Sequence, residues 1–521
     1  MKKGALFFLF VGAYIVNACA TDVLGKKDNT EQIVPISGRV TCLGKPVEGA
    51  IISDGVDLVK TDTEGIYFIN AHKHMEYVFI SIPSGYSVAK DGILPAHCLP
   101  IKGTKMDHAD FELLPMPNES YKLFVMADIH LVGDAVFKDL KQFRTIFLPD
   151  ISQTLNETSG EKFSISLGDM TTDNRWYKNN FMLPNYLNEF KKYPTMIYHV
   201  MGNHDNDPAV MGLTDEDVDW KASRAYRKYI GPTYYSLNIG DVHYIMLDNI
   251  IGLGNRKYKY YIDSVQLEWL KKDLSFVDKE TPLIVSMHVP AYRYSGLSNG
   301  IPIIEKRSSE YQDVSVLIDL LKPYSEVHIL SGHDHRNRNI CIADNITEHT
   351  LASASAISWQ LNDIRPITTD GTLSGYQIFE ISGKKIQWFY KAVGLSIEKS
   401  QFRAYDMNAV PKEYCEETDA NEIIVNVFNW DPLWRVAVYE DGQELAVEQF
   451  WGKDPLYMYL RDQTQQFNHR PNDWRAVSNI HMFRAKAKRS DSQIIVRVTD
   501  RFGIVYEEKM ERPKYFFENM N

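Results

Sequence analysis

Five short stretches near the middle of the 521-residue sequence carry side chains that bind transition metals: Asp128-Ile129-His130, Gly168-Asp169, Gly202-Asn203-His204-Asp205, His288 and Gly332-His333-Asp334-His335. Each follows a run of apolar or β-branched residues, KLFVMA, FSISL, IYHVM, LIVSM and VHILS in turn. A run of that kind, stopping at Gly, Asp or His, reads as a buried strand opening into a loop. Ligands collect where parallel strands end at one edge of a sheet, so the five clusters converge. Carboxylates, imidazoles and one amide oxygen suit Mn, Fe, Zn, Co or Ni, whereas Ca and Mg prefer oxygen alone. No cysteine belongs to the set, which disfavours a thiolate structural zinc. Two such ions about 3.5–4 Å apart clamp an in-line displacement at phosphorus and lower the pKa of a water between them. A bridging anion is needed, and Asp169, alone on a glycine turn, fits that place. A histidine that binds no metal can then protonate the leaving oxygen. Any one cluster is weak by itself, because Asn, Asp and His populate turns for backbone reasons. Five in order are not.

The pattern D-x-H, G-D, G-N-H-D, lone H and G-H-x-H resembles the calcineurin-like metallophosphoesterase superfamily, over roughly residues 120–392. The resemblance implies a four-layer αββα sandwich, two β-sheets face to face with helices outside. It implies one metal held by Asp128, His130, Asp169 and His335. The second would be held by Asp169, Asn203, His288 and His333, with Asp169 bridging. It makes His204 the general acid and Asp205 its orienting partner. The purple acid phosphatase branch has a tyrosine ligand three residues after the bridging aspartate. Thr172 stands there, and His130 fills the D-x-H position, so the resemblance sets the chain apart from that branch. Asp173 reads as a helix cap or a residue supporting the site, and His199, His243 and His328 as core or strand residues.

Substrate choice falls to the loops. Trp176 and Tyr177 follow the Asp169 turn, Tyr292, Arg293 and Tyr294 follow His288, and Arg336 follows His335. Aromatic faces stack a base or sugar, and an Arg fork holds a further phosphate. Tyr292, Arg293 and Arg336 are therefore candidate substrate contacts, favouring a phosphodiester or sugar-phosphate, free or glycan-linked. The alternatives are a nuclease or cyclic-nucleotide phosphodiesterase with the same metals, or a non-catalytic surface binding protein; no ligand of the set is missing.

The elements that must carry these residues are legible around them. Phe137, Leu140, Phe143, Ile146 and Phe147 predict a helix over 137–155. Asp263 with Gln266 predicts a capped helix through Leu274, and Val314–Leu321 a third, stopped by Pro323. Strands are expected at Thr350–Ser355, Tyr376–Ile381 and Ile386–Ala392.

On either side the text turns to β. Residues 36–116 read as a β-sandwich resembling the carboxypeptidase-regulatory or transthyretin-like kind, 117–400 as the catalytic domain and 401–521 as a C-terminal β-rich domain. A polar, aromatic insertion, Trp451–Trp474, interrupts the last; Trp451, Tyr457, Tyr459 and Trp474 are placed either over the active site or against the catalytic domain. Residues 1–20 read as a signal peptide of lipoprotein type, ending Val16-Asn17-Ala18-Cys19, and 21–35 as a tether. The expectation is an exported protein, periplasmic or at the outer membrane or cell surface, anchored by lipid if Cys19 is modified. Net charge is −11 and no basic tract occurs, which argues against stable duplex nucleic-acid binding. Beyond Cys19, Cys42, Cys98, Cys341 and Cys415 read as free thiols.

Overall fold

The computed structural model describes residues 32–116, 120–212, 217–307, 314–361, 366–415, 418–517 and 520. The expected signal segment, Cys19 and the tether up to residue 31 lie outside them. Among the described residues no helix is long and apolar enough to cross a membrane. The four cysteines there are free and partly buried.

The N-terminal module packs two sheets face to face. Ile33–Cys42 alternates exposed and buried positions along its length, as a strand with one wet face must. It pairs antiparallel with Ile66–His72 and parallel with Phe111–Pro115. The opposing sheet runs Cys98–Pro100, Tyr77–Ser81, Ile51–Ser53, Leu58–Lys60. This module is bolted to the next one. Tyr234 Oη donates to Gly55 O at 2.7 Å, Trp269 Nε1 to Ser53 Oγ at 3.1 Å and Tyr77 Oη to Arg227 O at 2.6 Å.

In the central domain a five-stranded sheet, ordered Ile197–His199, Glu161–Ser166, Ser120–Met126, Gly375–Ser382, Lys385–Ala392, faces a six-stranded one. The latter runs Tyr235–Ile239, Val242–Met246, Leu283–Ser286, Val327–Ser331, Ile346–Thr350, Arg338–Ala343. Leu123, Val125 and Ile165 from the first and Tyr244, Val285 and Ile329 from the second share one core. Each such side chain stabilises the fold by roughly 1.5–3 kcal/mol on burial. The outer face of the first sheet (Phe124, Met126, Ile378) is covered by helices bearing Phe147, Ile151, Leu155, Leu183 and Tyr186. On the other side Ser264–Leu274 and Ser315–Leu321 bury Trp269, Leu270, Leu317 and Leu321. The αββα layering follows.

The first helix spans Asp139–Glu157 in three pieces, with a π turn at Phe143–Phe147. It starts two residues later than the periodicity suggests because Asp139 is taken up by the preceding loop. Its carboxylate accepts the amides of Val132, Gly133 and Asp134 at 2.8, 2.8 and 3.0 Å. The second is capped as expected, Asp263 accepting from Gln266 N at 2.8 Å. The strand expected at 350–355 instead ends at Thr350. The segment after it dips beneath the first metal loop, where Ala354 N donates to Ala127 O at 2.9 Å and Ser353 Oγ to Asp128 O at 2.9 Å.

Two four-stranded sheets make the C-terminal module: Phe402–Asp406, Glu422–Val427, Asn479–Lys486, Val447–Gly452, and Gln443–Glu444, Arg435–Glu440, Ile494–Thr499, Val505–Met510. The aromatic insertion is helical, Pro455–Gln463 and Gln465–Asn468. Asp454 fixes its start: the carboxylate caps Tyr457 N at 2.9 Å and accepts Tyr405 Oη at 2.7 Å and Asn426 Nδ2 at 2.8 Å. A side chain on Gly371 would meet Asp454 at 2.2 Å, so only glycine lets the helix start seat there.

Candidate metal centre

All five clusters open at the same edge. The loops brace one another through backbone bonds, Asp128 N to Gly168 O at 3.2 Å, His130 N to Asp169 O at 2.9 Å and Gly332 N to His288 O at 2.9 Å. Asp128, His130, Asp169, His333 and His335 all take left-handed backbone angles, with φ of 53, 48, 51, 65 and 54°. Each such conformation costs about 1–3 kcal/mol at a non-glycine residue, and surrounding structure must hold it. Close approach sets the neighbouring glycines. A Cβ on Gly202 would sit 2.2 Å from Asp169 N, and one on Gly332 2.6 Å from Asp128 Oδ2.

The side chains form two donor groups, Asp128 with His130 and His335, and Asp169 with His288 and His333. Within the first, His130 Nε2 lies 3.0 Å from His335 Nε2, and His335 Nε2 3.5 Å from Asp128 Oδ1. Within the second, His288 Nε2 lies 3.2 Å from Asp169 Oδ2 and 3.3 Å from His333 Nδ1. Asn203 Oδ1 joins it, 3.1 Å from His288 Nε2 and 2.9 Å from His333 Nδ1. Asp169 Oδ2 also stands 3.6 Å from His130 Nε2, so it lies between the two groups. Its Oδ1 is held by His204 N at 2.7 Å.

Does this set fit metal ions? His288 Nδ1 donates to Leu167 O and His335 Nδ1 to Ala356 O, both at 2.7 Å. That fixes the tautomers and leaves Nε2 as a bare lone pair aimed inward. Lone pairs converging at about 3 Å repel unless a cation lies between them. The donor chemistry therefore fits two transition metal ions, each held by carboxylate and imidazole.

His204 stands apart from both groups. Its Nδ1 donates to Asp173 Oδ1 at 2.7 Å. Asp173 is buried and is gripped on its far side by Arg256 Nε at 2.6 Å and Tyr258 Oη at 3.1 Å. Burial would lower the His204 pKa, but the Asp169 charge and the Asp173 bond outweigh it and raise it above the usual imidazole value. The orienting carboxylate is thus Asp173, and Asp205 does not touch the ring. Asp205 turns inward and accepts Met170 N at 3.0 Å and Gly202 N at 2.9 Å, tying the two loops together. Burial first, and the Asp169 charge second, push its carboxyl up to about 7. Thr172 Oγ1 lies 3.0 Å from His130 Nδ1 and steadies that ring.

A cleft of about 620 Å³ lies over the centre. Tyr292, Arg293 and Arg336 are not among its walls. After His288 the chain enters the hairpin Tyr292–Ser298/Ile301–Lys306. Arg293 there faces Glu305 at 3.5 Å, and Tyr292 N is tied to Glu348 Oε2 at 2.9 Å. Arg336 points away to Thr369 Oγ1 at 3.2 Å. Trp176 is buried, donating to Thr171 Oγ1 at 2.7 Å. The cleft's walls are instead Val136, Phe137, Asn174 and Arg175 on one side and His469, Arg470 and Trp474 of the C-terminal insertion on the other. Of the insertion aromatics Trp474 reaches the centre, its ring 5.4 Å from that of His335, while Tyr457 is buried. His199, His243 and His328 are buried structural residues; His243 Nε2 pairs with Asp273 at 2.9 Å.

Three family models match the chain in succession. They are the N terminal of calcineurin-like phosphoesterase over residues 34–116, calcineurin-like phosphoesterase over 121–337 and the C terminal of calcineurin-like phosphoesterase over 348–506. Purple acid phosphatase 23 of Arabidopsis thaliana is 30% identical over 154 residues, 28% of this chain and 29% of that protein. Purple acid phosphatase 15 of the same plant is 28% identical over 193 residues, 34% and 32% of the two chains. The chain thus spans about a third or less of the curated relatives it matches. A dimetal phosphatase from Danio rerio is 12% identical with a TM-score of 0.32, covering 53% of this chain and 99% of that one. A purple acid phosphatase from yellow lupin (Lupinus luteus) seeds is 13% identical with a TM-score of 0.35, covering 66% and 67%. Purple acid phosphatases are thus among the curated relatives over about a third of the chain, although Thr172 stands where that branch is expected to carry a tyrosine. The chain belongs to the calcineurin-like phosphoesterase family, whose own N-terminal and C-terminal modules flank its catalytic domain.

Proposed function

We propose that this protein is a metal-dependent phosphoric ester hydrolase acting on a phosphodiester or sugar-phosphate. The observation that carries the reading is Asp169 Oδ2 between two imidazole–carboxylate groups, with the His204 imidazole beside them and part of neither. Asp128, His130, Asp169 and His335 would hold one ion, and Asp169, Asn203, His288 and His333 the other. Bound there, the pair would supply Lewis-acid stabilisation of the phosphoryl oxygens and a water of lowered pKa. The chain's own part is orientation and proton transfer. Asp173, anchored by Arg256 and Tyr258, holds the His204 ring through Nδ1 and favours its protonated form, leaving Nε2–H to protonate the departing alcohol oxygen. Asp205 keeps the Asp169 and Asn203 loops in register through the Met170 and Gly202 amides. The test is metal-depleted protein reloaded with Mn, Fe, Zn, Co or Ni and assayed on a panel of mono- and diesters. Absence of metal-dependent phosphate or alcohol release from every ester would refute it.

The sequence Val16-Asn17-Ala18-Cys19 after an apolar stretch supports export with a lipid anchor at Cys19. Cys19→Ser should then release the protein from the membrane fraction or block its processing. Wild-type protein wholly in the soluble exported fraction would count against the anchor.

A further inference from the structure

The C-terminal insertion forms a wall of the catalytic cleft, and that wall is tightly built. Arg461 gathers the turn Pro471–Trp474, its Nη2 donating to Pro471 O at 2.7 Å and Asp473 O at 2.9 Å, and its Nε to Trp474 O at 3.0 Å. Tyr457 Oη donates to the same Trp474 carbonyl at 2.7 Å. These bonds hold Trp474 at φ 49°, a conformation rare for a bulky residue, and lay its indole against His335. Across the cleft the turn Asp173–Arg175 sets the Arg175 guanidinium over the Phe137 ring, 5.1 Å from its centroid. Arg175 is half-buried and has no carboxylate partner among the described residues. His469 and Arg470 enter the same cleft from the insertion. The one carboxylate on their wall, Asp473, lies 3.8 Å from Arg470. A chain of net charge −11 has therefore gathered cations where the metal centre already accounts for one phosphoryl group.

We infer that the cleft takes a phosphate ester whose leaving alcohol carries a second anionic group, bound by Arg175 and Arg470. The body of the alcohol lies between Val136 and Phe137 on one side and the Trp474 indole on the other. The assignment to the leaving side follows from the chain itself. Arg175 and His204 line the same cleft, and Arg175 sits on the turn whose Asp173 holds that imidazole, so it is assigned to the side where the departing oxygen is protonated. The guanidinium fork matches carboxylate or phosphate, and stacking on Phe137 orders it before substrate arrives. The reaction remains hydrolysis: a water oxygen–phosphorus bond forms, the phosphorus–alcohol bond breaks, and the His204 proton ends on the alcohol. This inference rests on the phosphoesterase reading above.

Two non-hydrolysable probes separate the two claims. Butylphosphonate and butane-1,4-bisphosphonate are titrated calorimetrically into the metal-loaded full chain, and release of phosphate from butyl phosphate and butane-1,4-diol bisphosphate is followed in parallel. Wild type should bind the bisphosphonate about tenfold more tightly or better, the worth of one charge-assisted contact. Arg175→Ala and Arg470→Ala should each shrink that preference and raise KM for the bisphosphate more than for the monophosphate, with Arg175→Lys restoring part. Arg470 is exposed, so its variant keeps the test clear of folding defects. Equal affinity for both probes in wild type, or a preference unmoved in both alanine variants, overturns the inference. Discrimination between the probes with no hydrolysis of these esters or of any mono- or diester in the panel above would overturn the catalytic reading and leave the anion subsite standing.

Discussion

His204 and Asp173 are joined Nδ1 to Oδ1 at 2.7 Å, while Asp205, adjacent to His204 in sequence, faces the opposite way into the loops. The two aspartates should therefore fail differently. Asp173→Asn should keep both metals but lose the charge that favours protonated His204, and turnover should fall about 10–100-fold, as for the hydrogen-bond partners that surround a metal site. The limb of the pH–rate profile on which the acid deprotonates should move to lower pH, because the raised His204 pKa depends in part on Asp173. Asp205→Asn leaves one of two buried amides unsatisfied, costing about 1–3 kcal/mol of stability. Thermal unfolding and metal analysis of the two variants check this. An Asp205 variant that alone shifts the pH profile would reverse the roles.

Asp169→Asn tests the bridge. Asp169 Oδ2 faces His130 of one group and His288 of the other, where its charge would offset repulsion between two bound cations. The amide should bind at most one ion firmly, and activity should fall to a small residue. Two ions per chain by elemental analysis, with turnover near wild type, would remove Asp169 from that role.

The junction between the N-terminal module and the catalytic domain should weaken in acid. His97 is buried, its ring 4.6 Å from that of Tyr235. Burial lowers its pKa to about 4, only partly offset by the Pro95 carbonyl at its Nδ1. A depressed histidine pKa means the unfolded chain binds the proton more readily. Stability is therefore full above about 6.5 and lost as pH falls towards 4, by about 3 kcal/mol at most. His97→Phe should flatten the melting temperature between those pH values. A variant that loses stability in acid as steeply as wild type would show that other groups govern the response.

Strand ends and ligand types were legible because period and abrupt stops are local signals. The runs before Asp128, Asp169, Asn203, His288 and His333 each became a strand or strand end at one edge. What was hidden depends on distant partners. Asp173 was legible as a helix cap or a residue supporting the site, but that it holds His204, 31 positions away, is set only by folding. The insertion 451–474 has no clean period, and its helix start is held by Asp454 on Tyr405 and Asn426 from other strands. Arg293 and Arg336 followed ligands in sequence, but Arg293 sits on a hairpin strand facing Glu305 and Arg336 turns to Thr369. Arg175 could have been noticed two residues after Asp173, yet nothing local gives its stacking on Phe137.

His204→Ala separates proton transfer from metal binding. The imidazole belongs to neither donor group, and its Nδ1 is committed to Asp173, so both metals should remain. General acid catalysis contributes about 10²–10⁴-fold, roughly 3–5 kcal/mol of barrier. The size of the loss should follow the leaving group. p-Nitrophenolate departs with little help from a proton, so its ester should suffer least. An alkyl or sugar alkoxide needs the proton in the transition state, so its ester should approach the full loss. Plotting log kcat/KM against leaving-group pKa should give a steeper negative slope for the variant than for wild type. Parallel lines would mean that His204 gives no proton and serves the fold, and disappearance of one ion would make it a ligand. Either result would direct the search for the acid to the other titratable groups on the cleft wall, His469 and Asp473.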